Sequence, residues 1–524
     1  MIGVLYSSNT KVPGDYVLAA LRRSVSSTAA LAISPGMLRS FDAAIVVAVD
    51  VPDAWGDALV EWSTRPRNKL IALGRLPAAL ANHLGCQSGM WPEAFQDAAR
   101  SSSAPSRERA QSRAAVRYDE RATQLGGRRW LRPFERFDFT DEWNNLGYGA
   151  IRAEGSMWAV SAPVEAPEDA RLASVTTDGE HRFTYAALWD REASSVLWFN
   201  RPVGPIDSFE WRLVENFVSS YRSDRTVCQP VLSEIPWGHD AAITSRLDCD
   251  EDVESARPLW QTYRRLGIPF TLAVHTTNLG NERNHGILRE LAADPHAAIL
   301  SHTATHAPDW GGSYEAALAE GSESMRLIEG VTRKRVRYAV SPFHQSPAYA
   351  LEGLADAGYD GCIGGIIRND PEFLIARGGA LAGLPAGFVG HSQQTMLHGD
   401  CMLASGDPLA TFKEAFDLAF ETRTLFGYLD HPFSERYQYG WPTEAVRIDA
   451  HEQFIAYIQK RARQPLFMNE DDAMDFLRAK SLANMVGDEG GFDVQLSSSV
   501  TTPFSMSVEY RGESMQITNG MRFI

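Results

Sequence analysis

The sequence predicts an α/β multidomain protein: a doubly wound α/β unit, then a distorted (β/α) barrel, then a small β-rich appendage. Three observations predict it. Residues 1–95 alternate short apolar runs with helical spacing, the βαβ rhythm of a parallel sheet. Residues 226–465 repeat strand-then-helix several times, which suits a barrel whose site lies at the C-terminal ends of its strands. Residues 492–496 and 504–510 alternate apolar and polar side chains, the period of a half-buried strand. A chain of 524 residues is also too long for one core.

In order, strands are expected at residues 2–6, 43–49 and 70–73, with a helix over 15–23. Gly3 and Gly74 do not form a GxGxxG fingerprint, so no nucleotide is implied. Residues 96–124, rich in Ser, Arg, Ala and Gln, read as an exposed helix or a linker. Residues 126–205 read as β-rich, and helical spacing returns over 210–221. Barrel strands are expected at 242–247, 269–274, 297–301, 335–340, 361–365 and 425–429, and helices at 284–293, 313–329, 347–357, 409–423 and 445–462. The tail opens with a helix over 470–480, and Arg511-Gly512 supplies a tight turn. The expected domains are 1–225, 226–465 and 466–524.

Composition narrows the function. Fifty basic and 66 acidic residues give a net charge of -16, which argues against nucleic acid as a partner. Five scattered cysteines contain no CxxC pair, so neither a disulfide framework nor a thiolate zinc site is expected. The N-terminus lacks the basic start and apolar length of a signal peptide. No transmembrane run occurs. A cytoplasmic, reduced protein is the expectation.

Chemistry concentrates at two strand ends. Arg246, Asp248 and Asp250 share one face of an extended run, and three charges cannot sit unpaired in an apolar core. His302 and His306 follow the apolar run 297–301. One carboxylate and two imidazoles make a usual ligand set for a hydrolytic metal that keeps a position open for water. The second carboxylate is then free to act as a base. Thr303 stands where the zincin motif needs Glu, which excludes that protease class. His431 ends another apolar run and can reach the same cleft; His344 is a weaker candidate. His275, His391 and His398 are read as structural or rim residues. Trp310, Tyr437, Tyr439 and Trp441 lie near these motifs and offer aromatic faces for sugar rings.

In combination, these residues resemble the NodB-homology polysaccharide deacetylases, carbohydrate esterase family 4. Asp248-Cys249-Asp250 is similar to the family's first motif, His302-Thr303-Ala304-Thr305-His306 to its second, and Leu429-Asp430-His431 to its fifth. Val340-Ser341-Pro342-Phe343 keeps the proline and aromatic of the third motif but lacks its arginine; Arg246 is the candidate stand-in. The fourth motif has no match, and Asp360 and Asp370 are the candidate partners of His431. The resemblance covers residues 240–465 and implies a NodB-type barrel. It assigns Asp250, His302 and His306 to a divalent metal, most simply zinc, Asp248 to the base and His431 to the acid. Phe343, Arg246 and Trp310 fall to the oxyanion and the substrate.

Residues 173–221 are similar to the closing half of amidotransferase-like α/β domains, without a nucleophile turn, so residues 1–225 are expected to be non-catalytic. A chain with such a barrel, extra N-terminal domains and no export signal is similar to deacetylases of bacterial surface-polysaccharide (O-antigen) assembly. The implied substrate is an acetylated amino sugar or oligosaccharide, free or nucleotide- or lipid-linked. Three alternatives stand beside this. One is a deformylase of a lipid-linked aminosugar. Another is a non-catalytic carbohydrate-binding or assembly protein on a decayed barrel. The third, a DxD glycosyltransferase, is opposed by the histidine pair.

Overall fold

The computed structural model describes residues 1–39, 45–93, 95–100, 113–134, 151–364, 376–434, 437–488 and 490–524. Its first sheet starts with five parallel strands in the order Ala30–Ile33, Ile2–Leu5, Ile45–Val49, Lys69–Leu73, Ser195–Phe199. All five residues of Ile45–Val49 are buried, as a strand covered on both faces requires. The sheet continues antiparallel through Glu180–Asp190, Arg171–Thr177, Ala114–Tyr118 and Leu131–Pro133. Asp178 and Gly179 turn the central hairpin, both at positive φ, the conformation a two-residue hairpin loop favours. The expected helix over 15–23 runs Lys11–Val25. Part of the segment read as helix or linker, 101–112, lies outside the described residues.

The second large sheet is built on Ala241–Cys249, with every residue buried. Parallel neighbours on one side are Phe270–Val274, Ala297–Ser301, Tyr338–Val340, Gly361–Gly364 and Val389–Ser392; on the other side lie Phe426–Asp430 and Thr395–Met396. Val389–Ser392 and Thr395–Met396 succeed each other directly in the chain yet pair with strands at opposite ends of the order. One bent segment therefore closes the sheet into a distorted barrel. The six expected barrel strands and five helices all form, with shifts of a few residues at their ends. The bent segment carries no strand signal of its own, because Gly390, His391, Ser392 and Gln393 interrupt any apolar run.

Residues 465–481 differ from the expected division. The Pro465–Met468 strand pairs in parallel with Ala241–Cys249, and Met474 and Leu477 of the next helix, Glu470–Ser481, pack into a barrel core with Ala273, Leu300 and Ile363. This stretch adds to the barrel, and the small sheets of the tail begin only at Asn484. Asn484–Asp488, Gly491–Gln495 and Arg522–Phe523 make one; Ser507–Tyr510, Glu513–Gln516 and Val231–Leu232 make another.

The first sheet and the barrel share an apolar core in which Trp211 and Leu213 meet Phe412, Phe416 and Phe454. At the same junction Arg377 pairs with Glu215 through two hydrogen bonds, 3.0 and 2.6 Å, with both side chains about 2–3% exposed. Glu234 holds the adjoining chain by accepting from the backbone N–H of Gly378 and Leu425. Among the described residues, no helix is long and apolar enough to cross a membrane.

Candidate metal centre

Three strand ends deliver the site. Ala241–Cys249 carries Arg246 and Asp248 on its inward face and places Asp250 just past its end. Arg246 Nε and Nη2 donate to the two carboxylate oxygens of Asp248, the second at 2.9 Å. Burial works to raise the Asp248 carboxyl, but Arg246 and His302 outweigh it and hold the group well below the usual carboxylate range. Asp248 is thus ionised at neutral pH.

His302 and His306 lie on a tight loop after Ala297–Ser301, where Thr303 and His306 adopt positive φ. Two anchors hold that strained backbone. The Glu320 carboxylate accepts from the N–H groups of Ala304 and Thr305, at 2.9 and 2.8 Å, and Thr303 Oγ1 accepts from His306 N–H at 2.8 Å. His302 Nδ1 donates to the Val340 carbonyl at 3.2 Å, which leaves the Nε2 lone pair for a ligand.

The donor atoms converge. His302 Nε2 and His306 Nε2 are 3.1 Å apart, and Asp250 Oδ1 lies 3.3 and 3.4 Å from them. A tetrahedral zinc with bonds of about 2.05 Å spaces its ligand atoms about 3.3 Å apart. Asp250 Oδ1 is also buried and takes no hydrogen bond, a costly state for a carboxylate oxygen that nothing binds. The residues present therefore fit a divalent cation. Burial tends to raise the Asp250 carboxyl, but His302 and His431 hold it far below the usual range. Burial and the neighbouring His302 push His306 down to about 4, keeping its imidazole neutral.

His431 comes directly after Phe426–Asp430, with its Nε2 3.6 Å from Asp250 Oδ2. Its Nδ1 hydrogen-bonds His398 Nε2 at 2.8 Å. Of the two expected carboxylates, Asp360 pairs instead with Arg478 at 2.9 Å, and Asp370 lies outside the described residues. His398 has no distinguishing context in the chain, because it comes after the short Thr395–Met396 strand rather than a long apolar run. Next to this pair, Asp430 accepts from His451 at 2.9 Å and from Arg447 and Trp441 at 3.3 Å. His398, Asp430 and His431 also lie close enough to hold an ion, but Arg447 already neutralises that carboxylate.

Phe343, at positive φ, packs its ring on His306 with centroids 4.5 Å apart. Trp310 corrects an expectation. It is fully buried and donates its indole N–H to the Gln345 carbonyl at 2.9 Å, so it has no face for a sugar. Trp441 is likewise buried. Tyr437 and Tyr439 instead line a narrow cleft with Asp250, Asp252 and Ser434.

Residues 248–362 match the family model described as polysaccharide deacetylase, so the chain carries a domain of that family. The match takes in Asp248, Asp250, His302 and His306 and stops before His398 and His431. No curated protein matches the chain. Solved structures similar to it include a Mycobacterium smegmatis protein assigned to the polysaccharide deacetylases, at 14% identity over 49% of this chain and 97% of that one, TM-score 0.37. A family 4 acetyl xylan esterase from Clostridium thermocellum, in complex with a cobalt ion, is 11% identical over 44% of this chain and 89% of that one, TM-score 0.29. A CE4 family pseudoenzyme from Bacillus anthracis is 10% identical over 45% and 66%, TM-score 0.30.

Proposed function

We propose that this protein is a metal-dependent N-deacetylase that removes acetyl from an N-acetylated amino sugar. The observation that carries the reading is the triangle of Asp250 Oδ1, His302 Nε2 and His306 Nε2, with sides of 3.1 to 3.4 Å. A divalent cation, most simply zinc, would supply Lewis-acid polarisation there. Asp248, kept ionised by Arg246, takes a proton from the attacking water as its oxygen joins the acetyl carbonyl carbon. The backbone beside Phe343 stabilises the oxyanion. The C–N bond then breaks, and His431 gives the departing nitrogen its proton, since an unprotonated amide nitrogen leaves poorly. Acetate and a free amine result.

The substrate in this proposal is an acetylated amino sugar or oligosaccharide, free or carried on a nucleotide or lipid. The setting is surface-polysaccharide (O-antigen) assembly in the cytoplasm. Residues 1–225 act as a non-catalytic scaffold. The test is acetate release from N-acetylglucosamine oligomers by zinc-loaded protein, with the chelated protein as control and N-formyl analogues in parallel. Acetate release that requires the metal supports the reading. No release from any acylated amino sugar, by a protein shown to hold metal, overturns it.

A further inference from the structure

The metal-ligand carboxylate divides its two oxygens between different neighbours. Oδ1 of Asp250 faces the histidine pair. Oδ2 accepts a hydrogen bond from the Tyr439 hydroxyl at 3.1 Å. The same tyrosine ring lies flat on His431, with centroids 4.0 Å apart and planes 14° from parallel, and leans on His398 at 5.2 Å. One side chain thus touches both the ligand aspartate and the candidate acid.

The loop bearing Tyr439 is held in place. Tyr439 sits at φ +46°, a strained value for a residue with a large side chain. Its carbonyl accepts from Gly399 N–H at 3.0 Å. A Cβ on Gly399 would collide with the Gly440 carbonyl group, and one on Gly440 would collide with the Asp400 nitrogen. Two glycines therefore let the backbones meet more closely than any other residue allows. Trp441, fully buried and bonded to Asp430, pins the far side. Tyr439, Gly399 and Gly440 all lie outside the segment that matches the family model.

We propose that Tyr439 is a positioning residue of this site. By holding Oδ2 it presents Asp250 to the cation through Oδ1 alone, and by stacking it fixes the ring of His431, so ligand geometry and acid geometry are set by one side chain. This rests on the metal-deacetylase reading above.

The test uses the full chain and two variants. Tyr439→Phe keeps the stacked ring and loses only the hydroxyl. Its zinc dissociation constant, read by calorimetry, should rise roughly 10–100-fold, the usual weight of a residue that orients a ligand, and the visible spectrum of the Co²⁺-loaded protein should change. Tyr439→Leu also frees His431. It should lose more activity on an N-acetyl amide than on 4-nitrophenyl acetate, whose leaving group needs no proton. Wild-type zinc affinity together with an unchanged Co²⁺ spectrum in Tyr439→Phe overturns this proposal alone. Failure of the unaltered protein to bind any divalent cation overturns the deacetylase reading and this proposal with it.

Discussion

Arg246 and Asp248, two positions apart on one strand, close a buried ion pair through a single guanidinium edge, Nε and Nη2, with the two side chains 0% and 2% exposed. Each charge is tolerable only because of the other. Arg246→Met should therefore destabilise the fold by roughly 3–5 kcal/mol, the cost of stranding one buried charge. Adding Asp248→Asn should recover part of the loss. Denaturant titration of the single and double variants measures both.

Asp248→Asn alone should bind metal normally and lose deacetylation by roughly 10²–10⁴-fold, the usual weight of a general base. Full activity in this variant would remove Asp248 from the chemistry.

His302→Ala and His306→Ala should each come out of purification depleted in metal by elemental analysis, and a chelator should lower the melting temperature of the parent protein. Metal binding stabilises whatever state binds it. Unchanged metal content in either variant would reject that residue as a ligand.

His398→Ala removes the only hydrogen-bond partner found for His431 Nδ1 among the described residues. It should lower kcat on an amide roughly 10–100-fold, as loss of an orienting neighbour does elsewhere, with metal content unchanged. Parental kcat would reduce His398 to packing.

Glu470 supplies a pH dependence. Buried at the start of its helix, it accepts from Gln393, and burial raises its carboxyl to about 7 despite Arg246 nearby. A carboxyl whose folded pKa exceeds its unfolded value favours the fold only while protonated. Its cost is absent below about pH 4.5 and complete above about pH 7, on the order of 3 kcal/mol. Glu470→Gln should thus raise the melting temperature at pH 8 and leave it nearly unchanged at pH 4.5. An equal effect at both values would show that the carboxyl does not titrate in this range.

The candidate cluster of Asp250, His302 and His306 was legible because its chemistry is local. Asp248 and Asp250 sit on one strand end, and His302 and His306 on one loop, each after an apolar run that marks the strand. The residues that orient them were not legible. His398 reaches His431 across 33 positions, and Glu320 reaches the histidine loop from a helix. Such contacts depend on how strands neighbour one another in the barrel, which local pattern does not encode. Trp310 misled for the converse reason: proximity in sequence to His306 says nothing about which way an indole points. The boundary at 465 failed because Pro465–Met468 is four residues long, too short for its period to separate it from a loop.

The Arg377–Glu215 pair joins the barrel to the unit before it at a buried seam. Cutting the chain near residue 226 would take Glu215 from the buried Arg377, leaving it the longer carboxylate contact to Glu234 at 3.7 Å, and would unroof the apolar surface around Phe412 and Phe416. The barrel is therefore no transplantable cassette; a shortened chain that keeps its fold has to keep the leading domain.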